Sequence, residues 1–242
     1  MSDRAQLALG FARSPAMGCA DFLVAQSNAD AVGWLRRWPN WPTPTLIIHG
    51  PEGCGKTHLA HAFAEQRQAR FVHKHELATI DPVALAADAT GVVIDDADAC
   101  AAAGGERALL HLMNAVGEGG RTLLLTARQA PGHWPVALAD LRSRLKAAAS
   151  VGIGEPDDAL MRSVLGKLFV ERQLRVGEEI LTYVLARIER SLGAAGLLVA
   201  RLDAEALATQ RPITIPLVRK VLGEDGEADR QPGPPPSGCL QR

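Results

Sequence analysis

Gly50-Pro51-Glu52-Gly53-Cys54-Gly55-Lys56-Thr57 constrains this chain more than any other stretch. It fits the pattern G-x-x-x-x-G-K-[ST], the Walker A loop, and its flanks fit too. Thr45-Leu46-Ile47-Ile48-His49 is a short apolar run with strand character, and Thr57 to Gln68 reads as a helix with Leu59, Ala60, Ala62, Phe63 and Ala64 on a mostly apolar face. Three glycines let successive backbone N–H groups curl around a phosphate, and the helix N-terminus adds the positive end of its dipole. Lys56 is then placed for the β- and γ-phosphates and the Thr57 hydroxyl for Mg²⁺. A glycine-rich turn with a chance lysine does not bring strand, loop and helix together in this order. The stretch predicts a site for a nucleoside triphosphate or diphosphate.

About forty residues on, Gly91-Val92-Val93-Ile94-Asp95-Asp96 supplies the partner signal. An apolar run without alternation is how a parallel strand looks when buried on both faces. Its acidic end then lies at the C-terminal edge of the sheet, where ligands bind in open α/β folds. This is a Walker B pattern: Asp95 to hold Mg²⁺ through water, Asp96 to orient or activate the attacking water. Arg70-Phe71-Val72-His73, Arg121 to Thr126 and a run around Ser150-Val151-Gly152-Ile153 read as further strands. Thr126 closes its strand with a polar group, placed either to sense the γ-phosphate and attacking water or simply to hydrogen-bond the strand end. Helices are expected after Asn28 as a cap, from Asp81-Pro82, and over 106–116 and 138–145.

The strand–helix alternation stops after residue 153. Glu155-Pro156-Asp157-Asp158 caps a helix striped with Leu160, Met161, Leu165 and Phe169, and three more amphipathic helices follow, the last behind Thr214. The expected fold is therefore α/β: a five-stranded parallel sheet between helices, followed by an all-helical C-terminal subdomain. The expected division is a flexible tail over 1–19, the nucleotide-binding α/β part over 20–153, the helical part over 154–223, and a Gly/Pro/acidic tail over 224–242 that cannot support a core.

A formal net charge of −1 gives no global field to draw the chain onto nucleic acid or anionic lipid. Cys19, Cys54, Cys100 and Cys239 are scattered without metal spacing, so reduced thiols in a cytoplasmic compartment are the simplest reading. No leader-like apolar run follows Met1, and no run nears the ~20 residues a membrane span needs. In the N-terminal tail, Gln6-Leu7-Ala8-Leu9-Gly10-Phe11 stands out. In an extended peptide Leu7, Leu9 and Phe11 form one apolar row, able to fill a partner's groove or to pack back on the domain.

Five segments in register carry a family resemblance: 22–28 (Phe22 to Asn28), Gly55-Lys56-Thr57-His58-Leu59, Ile94-Asp95-Asp96, Leu125-Thr126 and Leu141-Arg142-Ser143-Arg144-Leu145. Over roughly residues 20–222 their order and spacing resemble the AAA+ core of the bacterial replication initiator DnaA. A short tail bearing Gln-Leu-x-Leu-x-Phe before such a core is similar to the Hda family, regulators that inactivate the initiator. The resemblance implies a P-loop AAA+ fold with a helical lid, and ATP or ADP with Mg²⁺ bound by Gly50 to Thr57 and the adjoining His58. It implies Asp95, Asp96 and Thr126 around the nucleotide, and Arg144, with Arg142 its neighbour, as an arginine supplied in trans to the initiator's ATP. Such an arginine is worth ~10³–10⁵ in rate in phosphoryl-transfer systems. It also implies that Gln6, Leu7, Leu9 and Phe11 dock on the replicase sliding clamp, with no strong direct DNA binding, and it leaves a homo-oligomer open.

One departure is plain. The family's cores place a "sensor 2" arginine at the start of the third lid helix; here Ser191-Leu192-Gly193-Ala194-Ala195-Gly196 has no basic residue, and Arg190 and Arg201 only flank it. Weak intrinsic ATPase activity is the expectation. The competing reading is a helicase loader or transposition helper of the DnaC/IstB kind. It predicts a basic groove with stacking aromatics, for which one Tyr and five Phe, mostly at core-like positions, give no stripe. A metabolic kinase would need a substrate lid between the strands, and the helical C-terminal block argues against that.

Overall fold

The computed structural model describes residues 23–73, 76–77 and 81–223. They fall into two compact units, one made of 30–50 and 56–152, the other of 23–29, 51–55 and 153–223.

The first unit is built on a parallel sheet of five strands: β1 (Thr45–His49), β2 (Arg70–Val72), β3 (Gly91–Ile94), β4 (Thr122–Ala127) and β5 (Ala149–Gly152). Their order across the sheet is β2-β3-β4-β1-β5. The three apolar runs without alternation take the central positions: every residue of β3 and β4 is buried, as are the first four of β1. The strand at one edge, β5, buries only Val151. Register then fixes the site, because Ile48 pairs with Thr126 and Ile94 with Leu125. The C-terminal ends of β1, β3 and β4 therefore lie side by side along one edge.

Helices α1 (Ala29–Arg36), α2 (Lys56–Arg67), α3 (Pro82–Asp88), α4 (Ala97–Cys100), α5 (Glu106–Glu118) and α6 (Ala139–Ala147) complete this unit. Leu109, Leu112 and Val116 of α5 and Leu141 and Leu145 of α6 join Ile47, Val92, Ile94, Leu123 and Leu125 of the sheet in one core. Phe63 of α2 meets Trp38 edge-on (6.1 Å) and stacks on Trp41 (5.8 Å). Asp81 caps α3 as its sequence suggests, accepting from the Val83 N–H at 2.9 Å. Asn28 behaves differently from expectation. Its Oδ1 accepts from Ala25 N–H and its Nδ2 donates to the Leu23 carbonyl, so the side chain closes the preceding turn instead of capping the helix. Between α4 and α5 the backbone widens into a π-turn over Ala101–Gly105, with Gly104 at φ 95°. The adjacent Gly104-Gly105 pair is the sequence feature that permits this kink.

The second unit holds α7 (Asp158–Glu171), α8 (Glu178–Leu185), α9 (Leu192–Thr209) and α10 (Ile215–Leu222). Met161, Leu165, Phe169, Val184, Leu198, Val199, Leu202 and Val218 bury a separate core. Asp157 caps α7 through the Leu160 N–H, and Ser191 caps α9 through the Ala194 N–H. Thr214 stands at the N-terminus of α10 but makes no side-chain cap bond. Among the described residues no helix is long and apolar enough to cross a membrane.

Candidate functional site

The edge formed by β1, β3 and β4 gathers Lys56, Thr57, Asp95, Asp96 and Thr126. Lys56 opens α2 and is buried, its ammonium donating to the Gly50 carbonyl at 2.9 Å. Gly50 in turn donates its N–H to Ala127 O of β4 (3.2 Å), which ties the start of the loop to the sheet. Asp95 is held from two sides. Thr57 Oγ1 donates to its Oδ2 at 2.9 Å, and Thr126 Oγ1 donates to its Oδ1 at 2.5 Å. Thr126 is fully buried and also accepts the Asp96 N–H at 2.9 Å. One hydroxyl thus spends its proton on the first acid and a lone pair on the backbone of the second.

Asp96 adopts a left-handed backbone (φ 51°, ψ 45°) at the end of the strand and makes no side-chain cap bond to the helix that follows. Burial, and then the neighbouring Asp95 charge, hold its carboxyl above the usual carboxylate range, with Arg128 opposing. His49, at the end of β1, is held below the usual imidazole range by burial and by Lys56. His61 lies one helical turn beyond Thr57 and stacks on Phe71 of β2, ring centroids 3.9 Å apart. Burial lowers its pKa, the Asp95 charge opposes that, and His73 adds to the lowering. The sequence reading passed over His61, although its spacing of four from Thr57 on one helix was visible.

Residues Pro51 to Gly55 belong to the second unit, where Pro51 and Glu52 are exposed and Cys54 is buried. Gly53 (φ 73°) and Gly55 (φ 103°) take left-handed conformations that side chains resist. A Cβ on Gly53 would lie 2.0 Å from Ser191 Oγ, and Gly53 O accepts the Leu192 N–H at 2.8 Å. The glycines are thus required by backbone shape and by the close approach of the α9 N-terminus. His58 follows in the first turn of α2, partly buried.

Arg142 and Arg144 of α6 part company. Arg142 donates its Nη2 to the Val136 carbonyl, whereas Arg144 is exposed and makes no side-chain hydrogen bond or ion pair among the described residues. In the second unit, Arg190 pairs with Asp158 at 2.9 Å, leaving the start of α9 without a cation of its own. Gln6, Leu7, Leu9 and Phe11 lie outside the described residues.

Residues 158–222 match the family model described as "Hda, lid domain". An uncharacterised protein of Haemophilus influenzae is 29% identical over 201 residues, 74% of this chain and 81% of its own. The chromosomal replication initiator protein DnaA of Flavobacterium psychrophilum is 24% identical over 225 residues. That match takes in 84% of this chain but only 47% of the initiator, so the chain spans about half of that relative's length. Domain III of the Thermotoga maritima initiator DnaA superposes with a TM-score of 0.76 at 17% identity, covering 87% of this chain and 97% of the domain. The five-stranded parallel sheet with a P-loop and a helical C-terminal region is an AAA+ fold. Within that class the chain is similar to Hda over its C-terminal helices and to DnaA over most of its length.

Proposed function

We propose that this protein regulates the initiator DnaA by supplying Arg144 in trans to the initiator's bound ATP. A clamp-docking peptide at Gln6, Leu7, Leu9 and Phe11 would hold it on the replicase sliding clamp. The observation that carries this reading is the contrast on α6: Arg142 is occupied by Val136 O, while Arg144 is exposed with no side-chain partner among the described residues. A guanidinium destined for another molecule's phosphates has to be left unpaired in the donor. Tethering by the clamp raises its effective concentration near the initiator, which suits a chain of net charge −1.

The protein's own nucleotide, ATP or ADP, is assigned to Gly50 through Thr57 with His58 adjoining. The loop pattern supplies backbone N–H groups ahead of a helix N-terminus, and buried Lys56 offers the cation. Thr57 Oγ1 and Asp95 Oδ2, 2.9 Å apart, are the hard oxygen pair that Mg²⁺ prefers, so these residues fit the ion. Bound there, Mg²⁺ supplies charge neutralisation at the phosphates. Thr126 fixes the Asp95 carboxylate and the Asp96 backbone together, and Asp96 is the group left to orient a water. With no arginine opening α9, slow intrinsic hydrolysis follows, and the bound nucleotide sets shape more than it is consumed.

The test is loss of ATP from preloaded initiator in the presence of clamp on DNA. Arg144→Ala is expected to lower stimulation by about 10³, while ADP binding and clamp capture stay unchanged. Removing residues 1–12 is expected to abolish clamp capture and leave ADP binding. Full stimulation by Arg144→Ala sinks the proposal.

A further inference from the structure

A side chain as exposed as Arg144 is only as well placed as the helix that carries it. Two devices fix α6. The first is apolar: Leu141 and Leu145, four residues apart on one face, are buried in the core and set the helix's rotation. The second is polar and comes from a distant part of the chain. Glu106, the first residue of α5, turns its carboxylate to the segment that enters α6. Ala137 N–H donates to Glu106 Oε1 and Leu138 N–H to Glu106 Oε2, both at 2.8 Å. Leu138 is the N-cap residue of α6 and has no side-chain acceptor to offer that end. The same segment is also held by Arg142, whose guanidinium donates to the Val136 carbonyl.

We propose that Glu106 is a positioning residue for Arg144, capping the entry to α6 from another helix and so fixing where the exposed guanidinium is presented. A carboxylate that accepts two adjacent backbone amides holds the direction in which the chain enters the helix, as a local capping side chain would. The apolar pair alone leaves axial slide and tilt less constrained, because Leu141 and Leu145 fix a face and not an end. Burying those leucines accounts for the stability of α6, and it does not require a carboxylate at residue 106. Capture of both amides holds the Glu106 carboxyl below the usual range, so it is ionised and accepting at neutral pH.

This inference rests on the reading of Arg144 as the trans-acting group, and the experiment separates the two. Stimulated loss of initiator-bound ATP is measured as maximal rate and as the protein concentration giving half of it. The wild type, Glu106→Ala, Glu106→Gln, Arg144→Ala and the Glu106→Ala/Arg144→Ala double variant are compared, with ADP-induced thermal stabilisation recorded for each. Glu106→Ala is expected to lower the maximal rate at least tenfold, with half-stimulating concentration and ADP stabilisation unchanged. The double variant is expected to be no worse than Arg144→Ala. Glu106→Gln keeps the shape but turns one acceptor oxygen into a donor facing a backbone N–H. It is expected at least threefold below wild type, and it serves where the alanine variant does not fold. Full stimulation by Glu106→Ala or Glu106→Gln, with Arg144→Ala inactive, overturns the positioning role alone. An unchanged maximal rate in Arg144→Ala overturns the trans-arginine reading and this inference with it. Loss of ADP stabilisation in Glu106→Ala in step with the rate assigns Glu106 to the fold and overturns the inference too.

Discussion

Asp95 and Asp96 are chemically alike and adjacent, yet they are held differently. The Asp95 carboxylate accepts hydroxyl protons from Thr57 and Thr126. Asp96 receives only a backbone anchor, and burial beside a second carboxylate disfavours its charge. A carboxyl whose folded pKa is raised costs stability once ionised, and that cost disappears as pH falls to where the folded and unfolded forms are both protonated. Asp96→Asn tolerates the same left-handed backbone and removes the charge. It is therefore expected to melt at a higher temperature than wild type near neutral pH, the gain shrinking steadily into acid. A pH series of melting curves checks this, and equal or lower melting temperature at neutral pH contradicts it. The doublet itself was legible in the sequence as an acidic end on an apolar run. That Thr126 would join the two acids was not, because the contact spans thirty residues and depends on β3 and β4 being neighbours.

At the scale of elements, helix ends decide more than helix interiors. Asp81 and Asp157 cap from positions the sequence marks, Ser191 caps α9 without such a mark, and each bonds an amide two or three residues ahead. Asn28 and Thr214 occupy equally suggestive positions without capping, since the choice between turn and cap is settled by the neighbouring backbone. The cap on α6 comes from Glu106, thirty-one residues from Ala137, and no local pattern announces it. Because that carboxyl lies below its ordinary value, its stabilising contribution is complete above the ordinary carboxylate range and is lost as pH falls through the folded value. Wild type and Glu106→Gln are thus expected to differ in melting temperature near neutral pH and to converge in acid. A constant gap across the series would show that the charge is not what the amides recognise.

At the scale of the whole molecule, a ligand that binds only the folded chain stabilises it by an amount that rises with the logarithm of its concentration over Kd. About 2.7 kcal/mol is expected at a hundredfold excess over Kd. ADP or ATP with Mg²⁺ is expected to raise the melting temperature of the intact protein, and Lys56→Ala to abolish the rise while the unliganded chain still folds. A rise that survives Lys56→Ala places the nucleotide elsewhere. The P-loop pattern, the acidic strand end, the succession of strands and helices and the α/β class with its helical C-terminal part were legible in the sequence, and each is written in short-range pattern: glycine spacing, unbroken apolar runs, helical stripes. The AAA+ class came from the family resemblance. The packed structure settled that Arg142, and not Arg144, finds a partner among the described residues, how Thr126 binds the two acids, and that Glu106 holds the entry to α6. The last two join residues thirty or more apart in the chain, which only the packed sheet and helices bring within hydrogen-bonding reach, and the first spans six residues but depends on the turn by which the chain enters α6.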